Sequence, residues 1–223
     1  MCVAIIQVRS SSKRLKNKVM KMINGKPVLY YVYNRVAKSK KIKKIIVACS
    51  DKRSDDKIFS YCKSQGYLVE RGSLNNVVER FQKIIKKHKL RYFIRINGDS
   101  PCMDQNVINN VHRIFLKNKC DLATNVYPRS YPKGLSVEVI KSSIFNTLKN
   151  NKLNSFNKEH ITSYFYQNSL NYKISNTKNS KNYSKKSLAL DTKNDFIKLK
   201  PILMKKNFIK LGWRNILNRK YNI

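Results

Sequence analysis

The sequence predicts an α/β fold: a mostly parallel central sheet with helices on both faces, in three layers. Three observations lead there. Short apolar runs rich in β-branched residues recur at 2–8, 45–49, 67–69, 92–96 and 121–124. Helical patterns of about ten residues separate them, giving the order βαβαβαβαβ, which reads as parallel strands joined by right-handed crossovers. A chain of 223 residues, 41% of them apolar, is long enough to bury one substantial core.

The elements follow in order. Residues 2–8, CVAIIQV, form a continuous apolar run and predict a buried strand. A polar, cationic loop follows at 9–18, and Asn24-Gly25 marks a turn. Pro27 opens a helix that places Val28, Leu29, Val32 and Val36 on one face. Residues 45–49 are the second strand, ending in Ser50-Asp51. Asp55 and Asp56 then lie where carboxylates favour a helix dipole, at the start of a helix over 56–64 that Gly66 stops. A third strand at 67–69 precedes a helix from Asn75/Asn76 to about His88. The fourth, 92–96, is broken by Asn97-Gly98-Asp99. A helix over about 106–117 leads to a strand at 121–124.

The second half is less regular. Tyr127-Pro128 and Tyr131-Pro132-Lys133-Gly134 predict turns, 137–140 a strand, and 142–149 and 157–168 helices. Residues 171–187 are almost all Asn, Ser, Lys and Tyr and predict an exposed hairpin or mobile loop. A strand at 188–190 runs into Asp191-Thr192 and a helix over about 193–205. A short docking helix is expected around Phe208 to Ile216, with the single tryptophan, Trp213. The expected organisation is one domain over 1–223. Residues 1–126 make the regular βα half, 127–187 a turn-rich excursion, and 188–223 a final strand and C-terminal helices.

The chain carries 48 Lys+Arg against 12 Asp+Glu, a formal charge of +36. Such a balance first suggests nucleic acid. However, 36 of the cations are Lys, spread along the whole chain among many Asn and Ile, and no zinc-finger spacing or RNA-binding aromatic motif accompanies them. Solvated lysines of a biased composition are the preferred reading, with an anionic small ligand such as a nucleoside triphosphate in second place. No apolar run reaches the ~20 residues of a membrane span, and the opening apolar stretch is too short for a signal peptide. The five cysteines are scattered, without a CxxC, so a reducing cytoplasm is expected.

Four segments carry candidate chemistry. The loop from Arg9 to Lys18 follows the first strand, at the end of the sheet where such folds bind ligands. Ser10, Ser11 and Ser12 supply donors, and Arg9, Lys13, Arg14 and Lys18 supply charge, the two things a triphosphate needs. Neither GxxxxGK[ST] nor GxGxxG is present. Asp99, in Asn97-Gly98-Asp99, can hold Mg²⁺ against phosphates or simply cap a turn before Pro101. Asp191 can do the same or, with Thr192, cap the next helix; Asp195 reads as helix-terminal electrostatics. Glu159-His160 can contact an acceptor, although a lone helical His is more often structural.

In combination these segments resemble one family. IIQVRSSSKRLKNKVM (5–20) is similar to the opening fingerprint of the CTP-dependent sugar nucleotidyltransferases, which include the acylneuraminate and 3-deoxy-manno-octulosonate cytidylyltransferases. The resemblance is strongest to the SpsF-like spore-coat polysaccharide branch. GKPVLYYVYNRV (25–36), RGSLNNVVERF (71–81), RINGDSPCMD (95–104), YPRSYPKGLSVEV (127–139), EHITSYFY (159–166) and LDTKNDF (190–196) follow in that family's order, over about residues 3–205. The resemblance implies a GT-A/Rossmann-like fold, Mg²⁺ dependence, and transfer of CMP from CTP to a sugar or sugar-acid acceptor with loss of pyrophosphate. It implies nucleotide-binding roles for Arg9, Ser12, Arg14, Lys18, Arg71 and Asp99, with Arg9, Lys18 and Asp99 catalytic, and a metal site at Asp99 and Asp191. It also implies a homodimer through about 127–170, where Tyr127, Tyr131, Tyr164, Phe165 and Tyr166 offer aromatic area. The chain departs from the pattern at Ser11, where Gly is usual, at Lys16-Asn17 in place of Pro-Gly, and at Ser136, where the branch often has Asp.

Two other functions fit the sequence less well. A glycosyltransferase of the same fold would use a whole sugar nucleotide, but the isolated Asp of Asn97-Gly98-Asp99 forms no DxD pair. A basic nucleic-acid-binding protein would rest on the charge alone.

Overall fold

The computed structural model describes residues 2–12 and 14–222; Lys13, one of the loop cations, lies outside the described residues. The first strand, β1 (Val3–Gln7), is followed by a 3-10 turn at Lys18–Met20 and a hairpin of β2 (Met22–Ile23) and β3 (Lys26–Pro27). The hairpin turns on Asn24 and Gly25 at φ 48° and 68°, the left-handed pair that an Asn-Gly turn supplies. The helix α1 (Val28–Ala37) leads to β4 (Lys44–Ser50), α2 (Asp56–Ser64), β5 (Leu68–Gly72), α3 (Val77–Lys87), β6 (Tyr92–Asn97), α4 (Gln105–Asn118) and β7 (Leu122–Thr124). Then come β8 (Glu138–Lys141), α5 (Ser142–Asn146), α6 (Ser155–Glu159), α7 (Ser163–Gln167), β9 (Ile174–Asn176), α8 (Lys193–Leu203) and α9 (Trp213–Tyr221).

The main sheet has seven strands in the order β5-β4-β1-β6-β8-β7-β9. β5, β4, β1 and β6 pair in parallel, and β8 enters antiparallel between β6 and β7. The predicted α/β class with a mostly parallel sheet is therefore what the chain forms. Strand periodicity divides the core into two layers. On β1, Ala4 and Ile6 pack with α1, α4, α8 and α9, while Val3 and Ile5 pack with α3, Phe145 and Phe165 on the other face. β4 alternates the same way: Ile45, Val47 and Cys49 against Ile46 and Ala48.

Several expectations need correction. The helix expected over 157–168 is two short helices, α6 and α7. Ser163 Oγ lies 2.5 Å from Asn157 Oδ1 and 2.6 Å from the His160 carbonyl, a local hydrogen bond that competes with the helical ladder. The break lets Ile161 and Phe165 reach the core. The helix expected to 149 ends at Asn146. Residues 188–190 are not a strand: β6 is already paired on both edges, so this run crosses the strand ends instead, held by Leu188 N–H to the Lys133 carbonyl (2.7 Å) and Leu190 N–H to the Asp99 carbonyl (2.8 Å). The polar stretch 171–187 contains the edge strand β9. Of the five aromatics expected on a dimer face, Tyr131 and Phe165 are core residues, while Tyr127 is exposed and stacked on Tyr166 at 4.8 Å. Among the described residues no helix is long and apolar enough to cross a membrane.

Candidate active site

The site forms at the carboxyl ends of β1 and β6. Its first part is the loop after β1. Ser10 is buried, and its N–H donates to Asp55 Oδ1 at 2.8 Å; its carbonyl accepts from the N–H groups of Ser12 (2.8 Å) and Asn17 (3.1 Å). Asp55 Oδ2 takes the Ser50 N–H at 2.8 Å, so one buried carboxylate ties the loop after β1 to the end of β4. Arg80 lies behind it, also buried, donating to the carbonyls of Val8 (3.2 Å), Ala48 (3.1 Å) and Ser73 (3.1 Å). The departure at Lys16-Asn17 is accommodated: Asn17 sits at φ 55°, a left-handed conformation Asn tolerates better than most residues. Ser11 is not among the positive-φ residues, so the missing Gly there is not needed for backbone reasons.

The second part is the end of β6. The Gly98 N–H donates to the Gln7 carbonyl at 2.8 Å. A Cβ at 98 would fall 2.4 Å from Val8 Cγ1 and 2.9 Å from the Gln7 oxygen. Only glycine permits this close approach, and it places Asp99 beside the loop after β1.

The parts converge on Lys18. Its ammonium lies 2.6 Å from Asp99 Oδ2 and 3.1 Å from Asp191 Oδ1. Arg14 pairs with Asp191 Oδ2 at 2.6 Å, and Arg9 pairs with Glu159 at the end of α6. Arg9, Arg14, Lys18, Asp99 and Glu159 border a cleft of about 280 Å³, lined also by Gln7, Arg95, Asn97 and His160; Asp191 meets it only through Lys18 and Arg14. Burial lowers the His160 pKa more than the Glu159 charge raises it, which favours the neutral imidazole.

Two carboxylates sharing one cation are a suitable donor set for Mg²⁺, which takes one or two carboxylates and leaves its other positions to waters and phosphate oxygens. In this structure the Lys18 ammonium bridges the two carboxylates. Among the described residues no group of three or more His, Cys, Asp or Glu gathers here or at any other place.

The structure thus brings together Arg9, Arg14, Lys18, Asp99 and Asp191. Ser12 lies in the same loop. It does not bring Arg71 to the cleft: that guanidinium donates to the carbonyls of Ser50 and Lys52 (2.9 Å each), pairs with Asp56 (2.7 Å) and covers the Phe59 ring. Asp195 completes a capping box with Thr192.

Sequence reasoning missed part of the lining. Arg95 Nη1 meets Glu138 Oε2 at 2.7 Å and its Nε meets Gln7 Oε1 at 3.0 Å. Burial pushes the Glu138 carboxyl up, but the Arg95 charge and hydrogen bonds from Tyr166, Thr162 and Arg95 outweigh it and hold the group below the usual range. Tyr166 donates to Glu138 Oε1 at 2.6 Å. The available signal was an Arg inside the apolar run YFIRI and a Glu inside VEV, since buried charges need partners. At Ser136 the hydroxyl lies 3.0 Å from Arg129 Nη2; an Asp there would make this contact an ion pair.

Cationic donors at the loop after β1, facing two carboxylates across a sheet's carboxyl end, make a donor set able to receive a phosphate-rich ligand and a hard cation. The family model for cytidylyltransferases matches residues 3–211. The chain belongs to the cytidylyltransferase family. It is 34% identical to an uncharacterised protein of Methanocaldococcus jannaschii, over 77% of this chain and 70% of that protein. It is 28% identical to the spore coat polysaccharide biosynthesis protein SpsF of Bacillus subtilis, over 90% of this chain and 85% of the relative. A solved cytidylyltransferase from Leptospira borgpetersenii superposes with a TM-score of 0.92 at 25% identity, covering 99% of this chain and 94% of that one.

Proposed function

We propose that the protein transfers CMP from CTP to a hydroxyl of a sugar or sugar acid, releasing pyrophosphate, as a step in polysaccharide or glycan synthesis. The observation that carries this reading is the convergence of Lys18 on Asp99 and Asp191 at the mouth of the cleft, in a chain of the cytidylyltransferase family. Among the described residues every cation of the cleft is matched to a carboxylate: Arg9 to Glu159, Arg14 and Lys18 to Asp191, Lys18 also to Asp99, and Arg95 to Glu138. A bound triphosphate competes with those carboxylates for the same cations. Asp99 and Asp191, were they to hold a divalent ion, would release Lys18 and Arg14 to the phosphates.

Asp99 and Asp191 would hold Mg²⁺, which when bound supplies charge neutralisation at the phosphates. Lys18, Arg14 and Arg9 then turn to the phosphate oxygens and stabilise the leaving pyrophosphate. The acceptor lies toward Arg95, Glu159 and His160, with its hydroxyl in line with the α-phosphorus. The chain's contribution is mainly positioning and charge stabilisation. Arg71, tied to the loop after β4, acts on nucleotide binding through that loop. Five free, buried cysteines are consistent with a cytoplasmic enzyme. A homodimer would use the segment 127–170, in which Tyr127, Phe156 and Leu170 are exposed; light scattering after size exclusion giving a dimer mass supports this, and a monomer mass refutes it.

A thermal-shift panel of CTP, UTP, ATP and GTP, each with and without Mg²⁺, tests the assignment. A ligand at ~100 times its dissociation constant stabilises the fold by about 2.7 kcal/mol. Selective, Mg²⁺-dependent stabilisation by CTP is expected. Equal shifts with all four nucleotides, or none, count against it.

A further inference from the structure

The last helix, α9, begins at Trp213, beyond the residues that the family model matches. Its Lys220 side chain is only 2% exposed. A lysine is rarely buried so fully unless it is paired, and this one has two partners: Nζ donates to Asp195 Oδ1 at 2.9 Å and to the Ser187 carbonyl at 2.9 Å. The neighbouring Tyr221 hydroxyl accepts from the Ser187 N–H at 2.9 Å. The end of the chain therefore clamps both sides of the segment that carries Asp191.

The second oxygen of Asp195 faces that segment directly. Asp195 Oδ2 accepts from the Thr192 N–H at 3.0 Å, the Thr192 hydroxyl at 2.8 Å and the Asp191 N–H at 3.4 Å. One carboxylate thus has an α9 ammonium on one oxygen and the backbone of Asp191 and Thr192 on the other. Just before, the Leu190 N–H is bonded to the carbonyl of Asp99. The line of contacts runs from Lys220 through Asp195 to Asp191, and on to the partner carboxylate.

We propose that Lys220 is a positioning residue for Asp191, setting the spacing of the Asp99 and Asp191 carboxylates for a divalent cation. The proposal rests on the reading that these two residues bind Mg²⁺. Lys220 touches neither nucleotide nor metal; it acts by fixing Asp195, which fixes the Asp191 backbone. Capping of α8 alone would not require a buried ammonium from another helix, because Thr192 and Asp195 already satisfy each other.

The test is the Mg²⁺ concentration that gives half of the CTP-induced thermal shift, measured on the full chain. Lys220→Met is expected to raise that midpoint about 10-fold, the usual scale for losing a partner that orients a metal ligand. Lys220→Arg, which keeps the charge and donors, is expected to recover most of it. Ile216→Ala loosens the same helix from its fully buried core position without touching Asp195; it should lower the melting temperature and leave the midpoint in place. If Lys220→Met does not fold, Asp195→Asn carries the same expectation, because the amide keeps an oxygen for the Thr192 N–H but loses the ion pair. A Lys220→Met midpoint equal to that of the wild type overturns the proposal, as does an Ile216→Ala midpoint that moves equally far. A wild-type protein whose CTP shift ignores Mg²⁺ overturns the metal-site reading itself, and the proposal with it.

Discussion

Asp55→Asn probes how the nucleotide loop is held. Asp55 is fully buried and spends one oxygen on the Ser10 N–H and the other on the Ser50 N–H, both at 2.8 Å. Asparagine has the same shape but replaces one of those acceptors with an NH₂ group. One buried N–H then faces a donor, at a cost of about 1–3 kcal/mol. The substitution also removes the negative charge that partly offsets the burial of Arg80. Asp55 and Arg80 are not a direct ion pair, and Arg80 keeps its three carbonyl acceptors, so this adds less than the about 3–5 kcal/mol of breaking a buried pair. The expected loss is about 2–5 kcal/mol. At this chain length each kcal/mol lowers the melting temperature by about 2–4 °C. Urea unfolding followed by the fluorescence of Trp213, the single tryptophan and a buried one, measures it directly. A change within about 0.5 kcal/mol, the range of an ordinary surface substitution, would refute the argument that Asp55 pins the loop.

Gly98→Ala should cost about 1–3 kcal/mol by overpacking, because its Cβ would fall 2.4 Å from Val8 Cγ1. The same displacement moves Asp99, so Mg²⁺-dependent CTP binding should weaken more than stability; calorimetric titration checks this, and unchanged affinity would contradict it. His112 is buried, and burial lowers its pKa from 6.5; its Nε2 is 3.0 Å from the Tyr92 hydroxyl. The folded state therefore prefers the neutral ring, so the unfolded state binds more protons. Its contribution is present above the unfolded pKa and is lost as pH falls from about 6.5 through the lower folded value. His160 shifts in the same direction, so His112→Gln should flatten only part of the stability decline in that window, as read from urea midpoints at stepped pH. An unchanged slope would remove His112 as a source.

The sheet was legible because its strands are short, apolar and separated by helical patterns, and β1, β4 and β6 fall where those runs lie. The same rule misled at 188–190. Leu188 and Leu190 are fully buried, but burial makes a strand only where a sheet edge is open. The break between α6 and α7 was hidden in the hydroxyl of Ser163, whose contacts are not periodic. In the site, the loop cations, Asp99 and Asp191 each had a local signal: charge after a strand, or an acid in a chain with 12 of them. Their meeting did not, because Lys18 lies 81 residues from Asp99 and 173 from Asp191. Asp55 read as a helix-dipole residue because sequence spacing cannot tell a carboxylate beside a helix from one turned toward the buried N–H groups of Ser10 and Ser50. Lys220 was one lysine among 36 until its burial set it apart.

The central claim is that this cleft moves CMP from CTP. The direct measurement is the fate of label from CTP carrying radioactive phosphorus at the α-position, incubated with Mg²⁺ and a panel of sugars and sugar acids. The account predicts α-label in a sugar-containing product, unlabelled pyrophosphate, and loss of most turnover in a folded Asp99→Asn variant. Contradiction would come from α-label that stays in free nucleotide with every acceptor while a supplied sugar nucleotide gives up its sugar, or from an Asp99→Asn variant as active as the wild type.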